Sequence, residues 1–180
     1  QSLMHLYTGQ SQVRSGIPVA GRTLVDTQSM PGCFINTLVI AADIKADTSL
    51  LSLAQQLAST TAAAQAHQDI PFERLVEKLG QGASDRHPLY QVSFNLQYAD
   101  SSLLQNWPNA DVSLFDPGTS DSQTELALDL YIDGKNPDEQ ILRGFIGFDT
   151  GLYKNSSMTR MASHYQQLLD TLLSQPEQVL

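Results

Sequence analysis

Three stretches of the chain have the residue pattern of β-strands. Residues 13–20 form a short strand candidate that contains Gly16 and Pro18. Residues 34–44 are rich in β-branched and apolar side chains without clean alternation, which predicts a central strand covered on both faces. In residues 90–98 apolar and polar side chains alternate, which predicts a strand whose polar face is suited to line a cavity.

Two helices are predicted between the last two of these strands. Helical spacing of apolar residues begins after Thr48 and Ser49, which are both candidate caps, and continues to about His67. A second, shorter helix follows, with Asp69 as its predicted cap and Pro71 at its first position. The residues that we expect this helix to bury are Phe72, Leu75, Val76 and Leu79. A strand, two helices and a strand in this order predict a right-handed crossover between parallel strands.

The last part of the chain predicts a hairpin and a long helix. Residues 125–132 and 140–148 flank a turn-rich link and should pair as antiparallel strands. Residues 157–173 carry apolar side chains at helical spacing. Residues 3–7 resemble the last turns of a helix, so we expect the sequence to begin inside a domain. The whole pattern predicts one α/β domain with a mixed β-sheet packed with α-helices.

Composition and charge narrow the classes of partner. With 180 residues, 41% of them hydrophobic and 16% charged, the chain has the size and composition of one globular domain. The formal net charge of -9 argues against nucleic acid and anionic membranes as partners, and no apolar run reaches membrane-spanning length. An acidic carrier protein would need a local basic patch, because the basic residues are scattered. The single cysteine, Cys33, permits no internal disulfide, which favours a cytoplasmic location, and we expect its side chain in the core.

The residues alone indicate no catalytic or metal-binding motif. The sequence has no G-x-S-x-G elbow, its four histidines are widely separated, and no Gly-rich phosphate loop opens a helix. Glu73 and Glu77 fit the solvent face of the short helix, so we assign them no acid–base role. We therefore predict no catalytic residue and no metal site.

Four segments, in this order and spacing, resemble motifs of the condensation domains of non-ribosomal peptide synthetases. They are residues 16–22 (GIPVAGR), 32–38 (GCFINTL), 67–73 (HQDIPFE) and 86–92 (RHPLYQV). The predicted hairpin, residues 148–153 and the final helix are similar to the closing elements of that family. The resemblance covers nearly the whole chain. However, the family's catalytic His-His-x-x-x-Asp-Gly motif belongs to the N-terminal half of the domain and does not occur in this sequence.

This resemblance implies a chloramphenicol-acetyltransferase-like fold, with residues 1–180 as the C-terminal of two related α/β subdomains. The implied reaction joins a donor acyl or peptidyl thioester to the amine of an acceptor aminoacyl thioester, and the fragment alone is expected to be inactive. The implied partners are the N-terminal half of the same condensation domain, peptidyl carrier domains and an adenylation domain. No cofactor is expected to bind directly, because phosphopantetheine is carried by the carrier domains.

The resemblance also implies roles for individual residues. Asn36 matches a family position near the reaction centre, where it would either contact substrate and line the tunnel or satisfy backbone groups. Gly16, together with Ser93 and Asn95 on the polar face of the third strand, completes the set of substrate-tunnel candidates. A structural role is expected for His67, Gln68, Asp69, Pro71, Phe72, Arg86 and Pro88.

Three departures from the family pattern leave other functions open. Ala41 stands where family members usually have Arg, His87 where they have Asn, and Ala127 where they have Asp. A non-catalytic module for carrier-protein binding or scaffolding is therefore one alternative. An epimerisation, heterocyclisation or carrier-independent acyltransferase domain is another, and the motif in the missing half would discriminate between them.

Overall fold

The computed structural model describes residues 1–80, 86–98, 110, 124–133 and 140–180. Its strands are β1 (Gln12–Val19), β2 (Asn36–Asp43), β3 (Val92–Tyr98), β4 (Leu126–Asp133) and β5 (Ile141–Phe148). Its helices are α1 (Ser2–Thr8), α2 (Val25–Gln28), α3 (Leu50–Gln65), α4 (Phe72–Leu79) and α5 (Asn155–Ser174). These elements confirm the predicted α/β class, with a single mixed sheet.

The sheet has the strand order β2-β1-β3-β4-β5. β1 is antiparallel to β2 and parallel to β3, β3 is parallel to β4, and β4 is antiparallel to β5. The pairing of β4 with β5 confirms the predicted hairpin. The predicted crossover between parallel β2 and β3 is wrong, because β3 pairs in parallel with β1 instead.

The prediction that β2 is a central strand is also wrong, since β2 lies at one edge of the described sheet. Its side chains alternate, with Leu38, Ile40 and Ala42 buried and their neighbours partly exposed. Helix α3 packs on β2, and α4 also contacts it. An edge strand can thus be covered by helices. An apolar run in the sequence therefore indicates that a strand is covered by other elements, and it does not indicate where the strand lies in the sheet.

Helices α1, α3 and α5 cover one face of the sheet. One cluster of buried residues joins α1, β4 and α5 and consists of Leu3, Leu126, Met158 and Met161. A second joins β1, β2 and α3 and consists of Val13, Ala42, Ile44 and Leu53. Each large apolar side chain buried here contributes about 1.5–3 kcal/mol. The opposite face of the sheet therefore remains for the polar side chains of β3.

The starts of α3 and α4 are fixed in different ways. Ser49 caps α3, because its side chain accepts a hydrogen bond from Ser52 N–H while the Ser52 hydroxyl reaches back to Ser49 N–H. For α4 the prediction was wrong: Pro71 is the N-cap rather than the first helical residue, and no side-chain cap from Asp69 is made. The predicted burial of this helix is wrong too, since Phe72, Leu75 and Val76 are only half-buried and Leu79, near the helix end, is 64% exposed.

Cys33 is exposed, which corrects the prediction of a core cysteine. The prediction was based on the general tendency of a free cysteine to behave as a small apolar residue and to be buried. Here, however, the residue lies in the connection between β1 and β2, which contributes no residue to either buried cluster and contains only the short α2. Its place in a surface connection overrides the tendency.

Candidate functional site

Three of the predicted tunnel residues share one face of the sheet. Gly16 on β1 lies beside Ser93 on β3, and Asn95 follows two positions along the same strand. The hydroxyls of Ser93 and Thr124 are hydrogen-bonded at 3.2 Å, and Asn95 Nδ2 donates to Asp129 Oδ1 at 3.1 Å. These side chains therefore form a polar face on the side of the sheet away from α3 and α5.

Gly16 is required by a close approach of an aromatic ring. A Cβ on this residue would lie 2.8 Å from Tyr90 Cδ2 and closer still to Cε2 and Cζ. Tyr90 is only 6% exposed. Burial raises the pKa of Tyr90 above its usual value of 10.0. The ring closes one end of the polar face, and Gly16 leaves it the space to do so.

Asn36 lies apart from these residues, at the start of β2. Its Nδ2 donates to Gln68 O at 2.8 Å and to Ile70 O at 2.7 Å, while its Oδ1 accepts from Phe72 N–H at 3.1 Å. Phe72 is the first residue of α4, so Asn36 satisfies a helix N–H that no nearby side chain caps. Both amide hydrogens thus serve the backbone, and contact of Asn36 with substrate remains a prediction.

The HQDIPFE segment turns the chain from α3 into α4. Ile70 N–H donates to His67 O at 3.1 Å, and the carbonyl oxygen of Gln68 accepts from Asn36. His67 and Asp69 are exposed, as is Pro71. The contacts in this segment are those of a turn, in line with the structural role expected for it.

Residues 86–91 form a tight hook that carries Tyr90. Arg86 makes a bidentate ion pair with Glu125, with nitrogen to oxygen distances of 2.6 and 3.0 Å, and this carboxylate raises the pKa of Arg86. Tyr90 N–H donates to Pro88 O at 2.9 Å, and Leu89 between them has a left-handed φ of 67°. The hook therefore fixes Tyr90 against the sheet.

His87 holds this hook together. Its Nδ1 lies 3.0 Å from Pro88 O and 3.1 Å from Tyr90 O, and since carbonyl oxygens only accept, the ring proton is on Nδ1. The imidazole also packs against the rings of Phe72 and Tyr90, with centroid distances of 5.7 and 4.2 Å, and these two rings contact each other at 5.7 Å. In this chain His87 thus has a backbone-bonding and packing role at the position of the family's Asn.

Sequence reasoning missed two members of the polar face, Tyr90 and Asp129. Tyr90 was predicted as the first residue of the third strand, whereas it precedes β3 and belongs to the hook. Asp129 could have been found once β4 was known to pair with β3, because it lies opposite Asn95 on the same face of the sheet. Strand pairing, which local patterns do not report, was the missing information.

Two cavities lie on the helix-covered side of the sheet. One of about 330 Å³ is bounded by α1, α3, α5 and the sheet, and it is lined mostly by apolar side chains such as Leu57, Phe94 and Leu172, with Ser15 at its wall. The other, of about 420 Å³, lies between β4, β5 and α5. A tunnel along the polar face of β3 remains a prediction.

The described residues contain no cluster of side chains suited to bind a metal ion. Among them, no three His, Cys, Asp or Glu side chains are grouped so that they would hold a metal ion. Within the same residues, every helix is too short or too polar to cross a lipid bilayer.

Comparison with known proteins identifies the family. The sequence model of the family described as Condensation domain matches residues 1–180. The chain is 33% identical over 175 residues to tyrocidine synthase 3 of Brevibacillus parabrevis, covering 97% of this chain and 3% of that protein. The chain thus spans only a small part of the length of this curated relative.

Solved structures agree in fold. The X-domain in its complex with OxyB from teicoplanin biosynthesis superposes with a TM-score of 0.86 at 23% identity, over 98% of this chain and 38% of that one. The starter condensation domain of the rhizomide synthetase RzmA superposes with a TM-score of 0.71 at 20% identity, over 99% of this chain and 40% of that one. The expected chloramphenicol-acetyltransferase-like fold is confirmed. The chain belongs to the condensation domain family of non-ribosomal peptide synthetases.

Proposed function

We propose that this chain is the C-terminal subdomain of a condensation domain that forms amide bonds between carrier-bound thioesters. The observation that carries the proposal is the extent of the match. The family model covers all 180 residues, yet they correspond to only 40% of a solved starter condensation domain. The paired-histidine motif of the family does not occur in these residues, and we expect the fragment alone to be inactive.

In the proposed reaction the acceptor amine attacks the carbonyl carbon of the donor thioester. A C–N bond forms, the C–S bond breaks, the amine loses a proton and the carrier thiol leaves. The N-terminal half supplies the histidine that promotes the attack. The present half contributes a wall that positions both thioesters and excludes water, and positioning of this kind can lower the barrier by several kcal/mol. Gly16, Ser93 and Asn95 are the residues proposed for that wall.

The proposed partners follow from this reaction. They are the N-terminal half of the same domain, two peptidyl carrier domains and the adenylation domain that loads them, all acting in the cytoplasm. Phosphopantetheine is covalently held by the carriers, so this chain itself binds no cofactor. The relatives are synthetases many times longer than this chain, which supports a multidomain setting.

A second candidate, a non-catalytic binding module, is favoured by Ala41 and Ala127. Ala41 pairs with Arg14 on the neighbouring strand, and Ala127 lies between Ser93 and Gly147, so neither position carries the ionic side chain usual in the family. The teicoplanin X-domain, a structural neighbour, was solved in complex with another protein. A scaffold role for the present chain would need no amide-forming chemistry.

The coding sequence upstream of Gln1 tests the proposal first. We expect it to encode the His-His-x-x-x-Asp-Gly motif and, on either side of the domain, carrier and adenylation domains. An upstream half with that motif degenerate would overturn the catalytic proposal and favour the binding module. Hallmarks of an epimerisation or heterocyclisation domain in that half would instead assign the chain to one of those relatives.

A further inference from the structure

One position on the polar face of the sheet carries a negative charge. Asp129 on β4 lies opposite Asn95 of β3 and opposite Phe145 of β5, so the three side chains form one row across three strands. Asp129 is half-buried, and its Oδ1 accepts from Asn95 Nδ2 at 3.1 Å. Among the residues that the structure describes, Asn95 is the one hydrogen-bond partner of this carboxylate. A carboxylate has about four acceptor positions, so most of this capacity is open.

Two aromatic rings lie beside this carboxylate. Tyr131 follows two positions along β4 and therefore shares the face of Asp129. Its ring stacks on that of Phe145, with centroids 6.2 Å apart and planes at 27°. Phe145 is 57% exposed, so its ring is open to a ligand. Paired residues of antiparallel strands have Cβ atoms about 4.5–5.5 Å apart, so one bound group can contact both the carboxylate and the Phe145 ring.

The neighbouring row of the same face has small side chains. It consists of Ser93, Ala127 and Gly147, which pair in register across the same three strands. Among the described residues, a Cβ on Gly147 would meet only Ala127 Cβ, at 3.6 Å. The small row therefore leaves an open approach along the sheet to Asp129 and Phe145.

A carboxylate beside aromatic rings is suited to bind a cation. An ammonium or guanidinium donates to carboxylate oxygens and is attracted by the face of an aromatic ring within about 6 Å. The cation in the next row of this face is Arg143, opposite Tyr131, and within the described part of the chain it makes no ion pair with Asp129. The net charge of -9 adds to the attraction for a cation and opposes an anion.

We propose that Asp129 binds the cationic side chain of a carrier-bound aminoacyl substrate, and that it is the specificity-determining residue for that substrate. The ligand class is an amino acid whose side chain ends in an ammonium or guanidinium. Asn95 is a positioning residue, because it holds one carboxylate oxygen, and the Phe145 ring packs against the cation. This inference rests on the proposed function, which supplies the tunnel and the thioesters.

Two substrates that differ in charge but hardly in shape test the proposal in the complete parent condensation domain. They are arginyl and citrullinyl groups, since citrulline carries a neutral urea in place of the guanidinium. Each is loaded on the acceptor carrier in one series and on the donor carrier in another, and kcat/KM for amide formation is measured by mass spectrometry. We expect an arginyl preference of about tenfold on one of the two carriers, mainly through a lower KM. The series that shows the preference identifies the carrier that presents the cation.

Asp129→Asn separates recognition of charge from a structural role. The new amide oxygen can still accept from Asn95, so the link between β3 and β4 is kept while the charge is lost. The arginyl preference should fall to about onefold, with the urea midpoint of the domain unchanged. The matched control is Asp170→Asn, which removes an exposed carboxylate from α5, on the helix-covered side of the sheet, and should leave the preference at about tenfold. Phe145→Leu should lower the preference about threefold, because the aromatic ring is lost.

The outcomes separate this proposal from the proposed function. Equal kcat/KM for arginyl and citrullinyl groups on both carriers would overturn the cation site, and so would an arginyl preference that is kept in Asp129→Asn. A preference for a glutamyl group over both substrates would also overturn it. A parent domain that forms no amide with any loaded substrate would overturn the proposed function, and the cation site would fall with it.

Discussion

Gly16 and Tyr90 are packed so closely that the smallest possible side-chain addition should be costly. In Gly16→Ala the new Cβ would lie 2.8 Å from Tyr90 Cδ2, whereas carbon atoms in contact prefer about 3.5–4.0 Å. The ring has little freedom to retreat, since it is 6% exposed and its centroid lies 4.2 Å from that of His87. The substitution therefore either strains the core or displaces the ring.

The magnitude follows from two terms. Overpacking of this kind costs about 1–3 kcal/mol. Replacing glycine by alanine in a strand returns about 0.5–1 kcal/mol. The unfolding free energy should therefore fall by about 1 kcal/mol. The matched control is Gly147→Ala on β5, whose Cβ would meet only Ala127 Cβ at 3.6 Å, so this variant should gain the glycine-to-alanine term alone and be stabilised by about 0.5–1 kcal/mol.

Urea unfolding followed by circular dichroism measures both variants, and a double-mutant cycle isolates the contact. In a Tyr90→Ala background the ring is gone, so Gly16→Ala should no longer destabilise the protein. The reasoning would be refuted by an equal cost of Gly16→Ala in both backgrounds, or by equal effects of Gly16→Ala and Gly147→Ala.

Three further predictions concern other parts of the fold. Asn36→Ala leaves Phe72 N–H and two carbonyl oxygens without this partner, so urea unfolding should show a loss of about 2 kcal/mol; an unchanged midpoint would contradict the capping role. Ser49→Ala removes the cap of α3 and should lower the unfolding free energy by about 1 kcal/mol in the same assay. An unchanged unfolding free energy would contradict the role of the capping box. Burial raises the pKa of Tyr165 above 10.0. The neutral tyrosine therefore contributes fully to the unfolding free energy below pH 10, and this contribution is lost as the pH rises through the higher pKa of the folded state. Tyr165→Phe should therefore flatten the fall in stability above about pH 10, and an unchanged slope would exclude this cause.

Local chemistry predicted much of this fold, and the reasons are visible in particular residues. The start of α3 was predictable because the candidate caps, Thr48 and Ser49, directly precede the helical pattern, and Ser49 is the cap. The hairpin of β4 and β5 was predictable because two strand patterns flank a turn. In both cases the interacting residues are close in sequence.

Features that depend on distant partners were not predictable in the same way. The start of α4 is satisfied by Asn36, from a strand far upstream, so the nearby Asp69 was the wrong cap. The order of strands in the sheet placed β2 at an edge although its composition suits a centre. At the candidate site, alternation placed Ser93 and Asn95 on one face of their strand, whereas Gly16 joins them only through strand pairing and Tyr90 only through the hook of residues 86–91. The tunnel role itself came from family resemblance and remains to be tested.

The most direct test of the central claim is a condensation assay on the complete parent domain. A donor carrier loaded with an acyl or aminoacyl thioester and an acceptor carrier loaded with an aminoacyl thioester would be mixed with the domain, and the acceptor-bound product measured by mass spectrometry. We predict an amide product that needs both halves and is lost when the second histidine of the upstream motif is replaced by alanine. Amide formation by the 180-residue chain alone, or none by the complete domain with its cognate loaded carriers, would contradict the account.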